Sequence, residues 1–401
     1  MTDYKTLDDI DVAGKSVLVR CDLNVPMKDG VITDTTRIDR SLLTLTELSQ
    51  KGARVIVMSH FGRPKGTVVA DMSLRPVAGA LAQSLGRDIP FASDCVGPVA
   101  AGLIADMADG AIIVLENLRF HGEEEANNVD FAGQLAVLGD IYVNDAFSCA
   151  HRAHASTEAI ARLLPSVAGR LMQAELDALA GALENPAHPV AALVGGAKIS
   201  SKMEVLGNLV EKTDLVIIGG AMANTFLHAQ GVNVGKSLCE KDMAAQALDI
   251  LARAAEAGCE VLLPLDATVA ETFGEGAANR SVPLTEIPAD WMILDVGPAS
   301  IHELTERLSQ CRTLVWNGPL GAFEISPFDA GTNAVAREAA RLTKAGKLLS
   351  VAGGGDTVAA LANAGVTEAF SYVSTAGGAF LEWLEGKELP GVAVLRTKTA
   401  S

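Results

Sequence analysis

Aromatic residues are scarce in this 401-residue chain, at 4% of the total. Packing must therefore fall to Val, Ile, Leu and Ala, which suits parallel strands covered on both faces by Ala-rich helices. The six cysteines (Cys21, Cys95, Cys149, Cys239, Cys259 and Cys311) form no CxxC pair and no metal-ligand cluster. In a chain of this size they read as reduced, mostly buried thiols. No apolar run approaches the ~20 residues that span a bilayer. Residues 1–11 are polar and acidic, unlike a signal or transit peptide. A soluble, cytoplasmic protein is expected. Positive charge is in deficit, with a net charge of −17. Residues 1–184 carry 16 Lys and Arg against 25 Asp and Glu, and the remainder 16 against 24, so both parts are acidic. Neither nucleic acid nor an anionic membrane is an expected partner. The usual nucleotide fingerprints are missing too. There is no GxGxxG, and the stretch from Gly231 to Ser237 is one residue short of a Walker A loop between its glycines. The protein-kinase signature set is also absent.

What is present is material for two cores. Apolar residues make up 49% of the chain, and single cores rarely grow past ~250–300 residues. Short β-branched runs alternate with longer Ala- and Leu-rich stretches. Strands are expected at 16–23, 53–59, 111–116 and 141–144, then at 190–194, 215–218, 260–265, 292–295, 313–316 and 347–351. This order predicts an α/β protein of two doubly wound parallel-sheet, Rossmann-like lobes. Between them, Met172, Leu176, Leu179 and Leu183 recur at helical spacing before Pro186. That helix reads either as a hinge or as an ordinary crossover helix.

The strand candidates end in polar or glycine groups: Asp22-Leu23-Asn24, Ser59-His60, Glu116-Asn117, Asn144-Asp145, Gly195-Gly196-Ala197-Lys198, Gly219-Gly220, Asp266, Asn317-Gly318 and Gly353-Gly354-Gly355-Asp356. Carboxyl ends of parallel strands form the ligand crevice, and helix N-termini there favour anions. In the first half, Arg37, Arg63, Arg119, Arg152 and His60 are the candidates for holding an anion. Asp22 and Asn24 are candidates for accepting a substrate hydroxyl. His151 and His154 offer only a weak metal pair. In the second half, Lys198 and Lys202 lie four apart at a strand-to-helix junction, where an anion would relieve their repulsion. Three glycines before Asp356 and Thr357 let backbone amides approach phosphate. Asp356 could hold Mg2+ or simply cap its helix.

Taken together, Arg20-Cys21-Asp22-Leu23-Asn24-Val25-Pro26, His60–Gly66, Glu116-Asn117-Leu118-Arg119, Asn144-Asp145-Ala146-Phe147 with His151-Arg152-Ala153-His154, Gly195–Lys202, Trp316-Asn317-Gly318-Pro319 and Gly353–Thr357 resemble phosphoglycerate kinases, in the right order over essentially the whole chain. The resemblance implies in-line phosphoryl transfer between 1,3-bisphosphoglycerate and ADP, giving 3-phosphoglycerate and ATP, with Mg2+, by a monomer whose lobes close. It implies a phosphoglycerate-binding lobe over 1–165, a hinge over 166–186, a nucleotide lobe over 187–375 and a tail, 376–401, returning to the first lobe. It places Asp22, Leu23, Asn24, Arg37, His60, Phe61, Gly62, Arg63, Arg119 and Arg152 around phosphoglycerate. It places Lys198, Lys202, Asn317, Glu324, Gly354, Gly355, Asp356 and Thr357 around the nucleotide, with Asp356 on the metal. Arg37 and Lys198 are implied as the catalytic charges. Some positions depart from the family pattern: Ser148-Cys149 stands where Gly-Thr is common, Ala221 and Ala376 replace glycines, and Phe61 replaces Leu. Two rivals remain at this point, a silent nucleotide-binding module and a kinase of another phosphorylated carboxylate.

Overall fold

The structure is a computed structural model and describes residues 4–396. The chain divides into two compact units, residues 1–176 with 388–401, and residues 177–387. These bounds differ from the expected ones in two places. Ser166–Ala168 is an edge strand of the first sheet, and the helix begins only at Arg170, running to Leu179 with a wider turn over Ala180–Glu184. The Gly377–Leu384 helix packs within the second unit against the Met203–Leu209 helix, so the return to the first unit starts at Glu388 rather than at 376.

Each unit is built on a six-stranded parallel sheet. In the first the order is Phe91–Ala92, Ile112–Leu115, Arg54–Met58, Ser16–Arg20, Ile141–Asn144, Ser166–Ala168. The strand interiors are buried on both faces. Val17 and Val19 pack into one core with Val55 and Val57, while Leu18 and Ile56 face the other. A continuous apolar run thus serves two cores at once, because successive side chains point to opposite faces. The second sheet runs Glu260–Leu262, Leu215–Ile218, Val190–Val194, Thr313–Asn317, Leu349–Gly353, Tyr372–Ser374. In both sheets the first strand in sequence sits inside, with the chain winding to one side and then the other. The switch point falls beside Ser16–Arg20 in one unit and Val190–Val194 in the other, where a ligand crevice is expected.

Several expected strands are shorter or elsewhere. The first ends at Arg20, so Asp22 and Asn24 lie in a loop rather than on one strand face. Met292–Val296 is not in the parallel sheet. It joins a three-stranded antiparallel sheet centred on Asp266–Ala270 and completed by Asn279–Pro283. That sheet has a core of its own, built on Ala267, Val269, Val282 and Ile287. No helix among the described residues is long and apolar enough to cross a membrane.

Candidate active site

In the first unit the loops after the strands at the switch point are tied to one another. Ser59 Oγ accepts from Leu23 N–H at 2.9 Å. Asn24 Oδ1 accepts from Gly62 N–H at 2.9 Å. The Asn117 amide bonds Phe61 N–H at 3.1 Å and Phe61 C=O at 2.7 Å, and its Oδ1 also accepts Arg119 N–H at 3.0 Å. Arg119 Nη1 in turn donates to Gly62 C=O at 2.9 Å. These bonds gather Asp22, Asn24, His60, Gly62 and Arg119. Arg37, in the first turn of the Thr36–Gln50 helix, reaches the group by donating to Asp22 Oδ2. Leu23 and Phe61 are brought close only through backbone, since both side chains pack in the core. Arg63 and Arg152 are exposed, the latter donating to His151 Nε2 at 3.2 Å.

Beneath this cluster lies a residue whose part the sequence reading did not foresee. Arg20 is completely buried. It donates from Nε to Ser156 Oγ at 2.8 Å and from Nη1 to Cys21 C=O at 2.5 Å, and Nη2 lies 3.2 Å from His60 Nδ1. Burial opposes its charge, but the acidic groups around it, Glu124 and Asp22 among them, outweigh that and hold its pKa above the usual guanidinium value. A guanidinium can only donate, so His60 Nδ1 is the acceptor and its proton sits on Nε2. Burial and the Arg20 charge hold His60 neutral, well below the usual imidazole range. His60 is therefore a neutral Nε2–H donor. Burial alone would raise Asp22, but the cations facing it, together with the Ser148 hydroxyl, outweigh that and lower it, so it stays a carboxylate.

The three-donor groups in this unit are not cation sites. Asp22, His60 and Cys149 lie within 4.8 Å of one another, but Arg20 and Arg37 already occupy them. Asp94, Cys95 and His121 are equally close, yet the Cys95 thiol is fully covered and His121 Nε2 is spent on Asp94 at 2.8 Å. His151 and His154 are separately engaged. His154 is buried, and burial first, then Arg20, Arg119 and Arg152, push it down to about 4.

In the second unit the strand ends interlock through glycine. A Cβ on Gly195 would lie 1.9 Å from Pro319 O, and one on Gly318, at φ +107°, would lie 2.1 Å from Gly195 O. Only bare backbone fits where these two strands end. Both ends of the Asn317 amide are engaged: Nδ2 donates to Gly353 C=O at 2.8 Å, and Oδ1 accepts from Lys202 Nζ. Lys202 is half-buried. Desolvation lowers its pKa against the pull of Asp356 and Glu385. Thr357 Oγ1 accepts Gly318 N–H at 2.8 Å. Gly354, not Asp356, is the N-cap of the Gly355–Asn363 helix, so Asp356 stands exposed in its first turn. Lys198 and Lys202 do not share a helix face, because an intervening 3-10 turn, Ile199–Ser201, delays the α-helix until Met203. Lys198 is exposed.

Of these groups Asp356 lines a cavity of about 420 Å³. Its walls include Gly196, Ala197, Gly220, Ala221, Glu324 and Asp356, and also Leu238, Phe273, Leu284, Met292 and Ile293. That size is within the range of small-molecule sites. The apolar wall was not legible from sequence, because it comes largely from the antiparallel sheet and its loops. Asp295 closes one side, accepting Gly331 N–H at 2.7 Å and Val296 N–H at 2.9 Å. Burial pushes Asp295 up to about 7. A folded pKa above the unfolded one means stability present at low pH and lost as pH rises from about 4 through about 7. Asp295→Asn should therefore reduce the fall in stability between pH 4 and pH 7, by roughly 2–4 kcal/mol, in urea unfolding at a series of pH values. Parallel pH profiles for the two proteins would contradict it.

Comparison with known proteins decides among the readings. The family profile described as "Phosphoglycerate kinase" matches residues 7–387. The chain belongs to the phosphoglycerate kinase family. Its relatives include the phosphoglycerate kinase of Ruegeria sp. (strain TM1040), 61% identical over 98% of this chain and 100% of that one. That of Methylorubrum extorquens (strain PA1) is 62% identical over 99% and 100%. Among solved structures, phosphoglycerate kinase from Coxiella burnetii superposes with a TM-score of 0.92 at 42% identity, covering 98% of both chains. The protein is thus a phosphotransferase with a carboxyl group as acceptor, acting in glycolysis, and ATP/ADP is the family's co-substrate. Within the phosphoglycerate kinase family, two of this chain's departures are conformationally mild. Ala376 has φ −92°, where a methyl group costs no backbone strain, and Ala221 likewise avoids positive φ while its neighbour Gly220 takes φ +68°.

Proposed function

We propose that this enzyme transfers the terminal phosphoryl group of Mg-ATP in line to the carboxylate of 3-phosphoglycerate, and runs in reverse from 1,3-bisphosphoglycerate to make ATP. The observation that supports this most is the placement of anion-directed groups at the switch point of each sheet. Arg37, His60 and Arg119 gather with Asp22 and Asn24 in one unit. In the other, Lys202, Asn317 and the glycine turn before Asp356 stand together, and Asp356 lines a largely apolar cavity.

In this reading Arg37, His60, Arg63, Arg119 and Arg152 hold the phosphoglycerate anion, the Nε2–H of His60 being a neutral donor. Asp22 and Asn24 receive its hydroxyl. Leu23, Phe61 and Gly62 contribute backbone and loop shape. The apolar wall takes the base, Glu324 faces the ribose, and Lys202 with the amides around Gly354, Gly355 and Thr357 meets the phosphates. Lys198, exposed and free to swing, accompanies the migrating group. The carboxylate acceptor is already ionised, so charge neutralisation and positioning replace a general base.

Asp356 fits Mg2+ that arrives on the nucleotide. Among the described residues no cluster of three potential ligands includes it. A single exposed carboxylate beside phosphate-binding groups is the protein's usual share of such a site. The ion's chemistry would be to neutralise phosphate oxygens. Reacting atoms must come within about 3–3.5 Å, and we assign that task to a hinge-bending motion in the 163–184 segment. The enzyme is proposed to work as a cytoplasmic monomer on small molecules, without nucleic acid. A coupled assay with 3-phosphoglycerate and Mg-ATP, set against other phosphorylated carboxylates, tests the reading. Equal turnover of the analogues would overturn the substrate assignment.

A further inference from the structure

We infer that Ser148 is a positioning residue for the phosphoglycerate site, acting through Asp22; the inference rests on the substrate-binding reading of Asp22 proposed above. The side chain of Asp22 is 10% exposed, so its oxygens depend on protein donors. Oδ2 accepts from Arg37 Nη1 and from Ser148 Oγ, the latter at 2.5 Å. Among the described residues Oδ1 accepts only Asn24 N–H, at a long 3.2 Å. A carboxylate oxygen has room for about two donors. Ser148 therefore completes Oδ2 and leaves Oδ1 as the oxygen with capacity for a substrate hydroxyl.

The same bond bears on Arg37. If Arg37 is to turn toward a bound anion it must leave Asp22, and a buried carboxylate stripped of its donor is costly. Ser148 keeps Oδ2 satisfied when that happens. A glycine, common at this position in the family pattern, has no hydroxyl to offer. The turn that carries Ser148 is held independently of substrate. Asn144 Oδ1 accepts Ala146 N–H at 3.1 Å, Cys149 N–H bonds Ala146 C=O at 2.9 Å, and Gly391 N–H bonds Ala150 C=O at 2.9 Å. Gly391 sits so close to the turn that a Cβ on it would fall 2.9 Å from the Ala150 Cα. The hydroxyl is thus presented from a fixed backbone.

The test is steady-state kinetics of the full-length enzyme with 3-phosphoglycerate and Mg-ATP, with circular dichroism as a check of folding. Ser148→Ala should raise KM for 3-phosphoglycerate about 10-fold, the loss of one charge-assisted hydrogen bond. KM for Mg-ATP should stay within about twofold, and Ser148→Thr, which restores a hydroxyl, should recover most of the affinity. Asp22→Asn is measured alongside. If Asp22→Asn raises the 3-phosphoglycerate KM while Ser148→Ala does not, Ser148 has no positioning role. If Ser148→Ala weakens both substrates alike, the effect is general and the inference fails. An unchanged KM in Asp22→Asn would remove the substrate reading of Asp22, and this inference with it.

Discussion

Arg37→Ala and Lys198→Ala each lower kcat by about 100-fold or more in the forward assay, the usual loss when one transition-state donor is removed. The expectation follows from where their charges stand. Arg37 is one-third exposed at the rim of the first-unit cluster, tethered among the described residues by its bond to Asp22. Lys198 is exposed just past the glycine turn of the second sheet, with no hydrogen bond from its ammonium among the described residues. Neither supports a core, so the variants should keep wild-type circular dichroism and thermal unfolding. Asp22 in Arg37→Ala still has Ser148 and the nearby Arg20 charge. A phosphoryl group in transfer carries dispersed negative charge, and a nearby cation is worth more there than in the ground state. The loss should appear in kcat more than in KM for either substrate. A Lys198→Ala enzyme with wild-type kcat would exclude Lys198 from the reaction.

Arg20→Met should cost about 3–5 kcal/mol of stability, the usual penalty for removing one partner of a buried charged network. Glu124 is fully buried, and its carboxylate accepts Ser156 N–H at 2.9 Å and Ser156 Oγ–H at 2.6 Å. Burial raises its pKa, and the Arg20 charge is the largest influence lowering it. With methionine at position 20, Glu124 loses that charge and the Ser156 and His60 bonds are broken. The measurement is urea unfolding by circular dichroism. Adding Glu124→Gln should recover part of the loss, because no uncompensated carboxyl then remains. A single-variant loss below about 1 kcal/mol would show that Arg20 does not hold the cluster together. His60 supplies a second signal: freed from Arg20, its pKa should rise toward the ordinary range, visible in its NMR titration.

Much of this was present in local sequence. Alternating β-branched runs and Ala-rich stretches foretold the α/β class, since strand and helix periodicities are short-range properties. The ends of those runs singled out Asp22, His60, Lys202 and the Gly353–Asp356 turn as the site candidates proposed here, because parallel strands carry ligand groups at their carboxyl ends. Local reading failed where register or partner mattered. It extended the first strand past Arg20, where the loop must leave the sheet to carry Asp22. It also assigned 292–295 to the wrong sheet, because a short apolar run fits a parallel or an antiparallel neighbour equally well.

The sequence by itself determined the kind of element each segment forms and the family to which the chain belongs. Tertiary structure alone decided that Arg20 meets Ser156 across 136 residues, and that Ser148 meets Asp22 across 126. It likewise decided that an antiparallel sheet supplies much of the apolar wall of the cavity that Asp356 lines. The reason is physical. Helix and strand preferences arise from torsions and side-chain spacing within a few residues. The partner of a buried charge is fixed only when packing removes water and leaves one arrangement in which every polar group is satisfied.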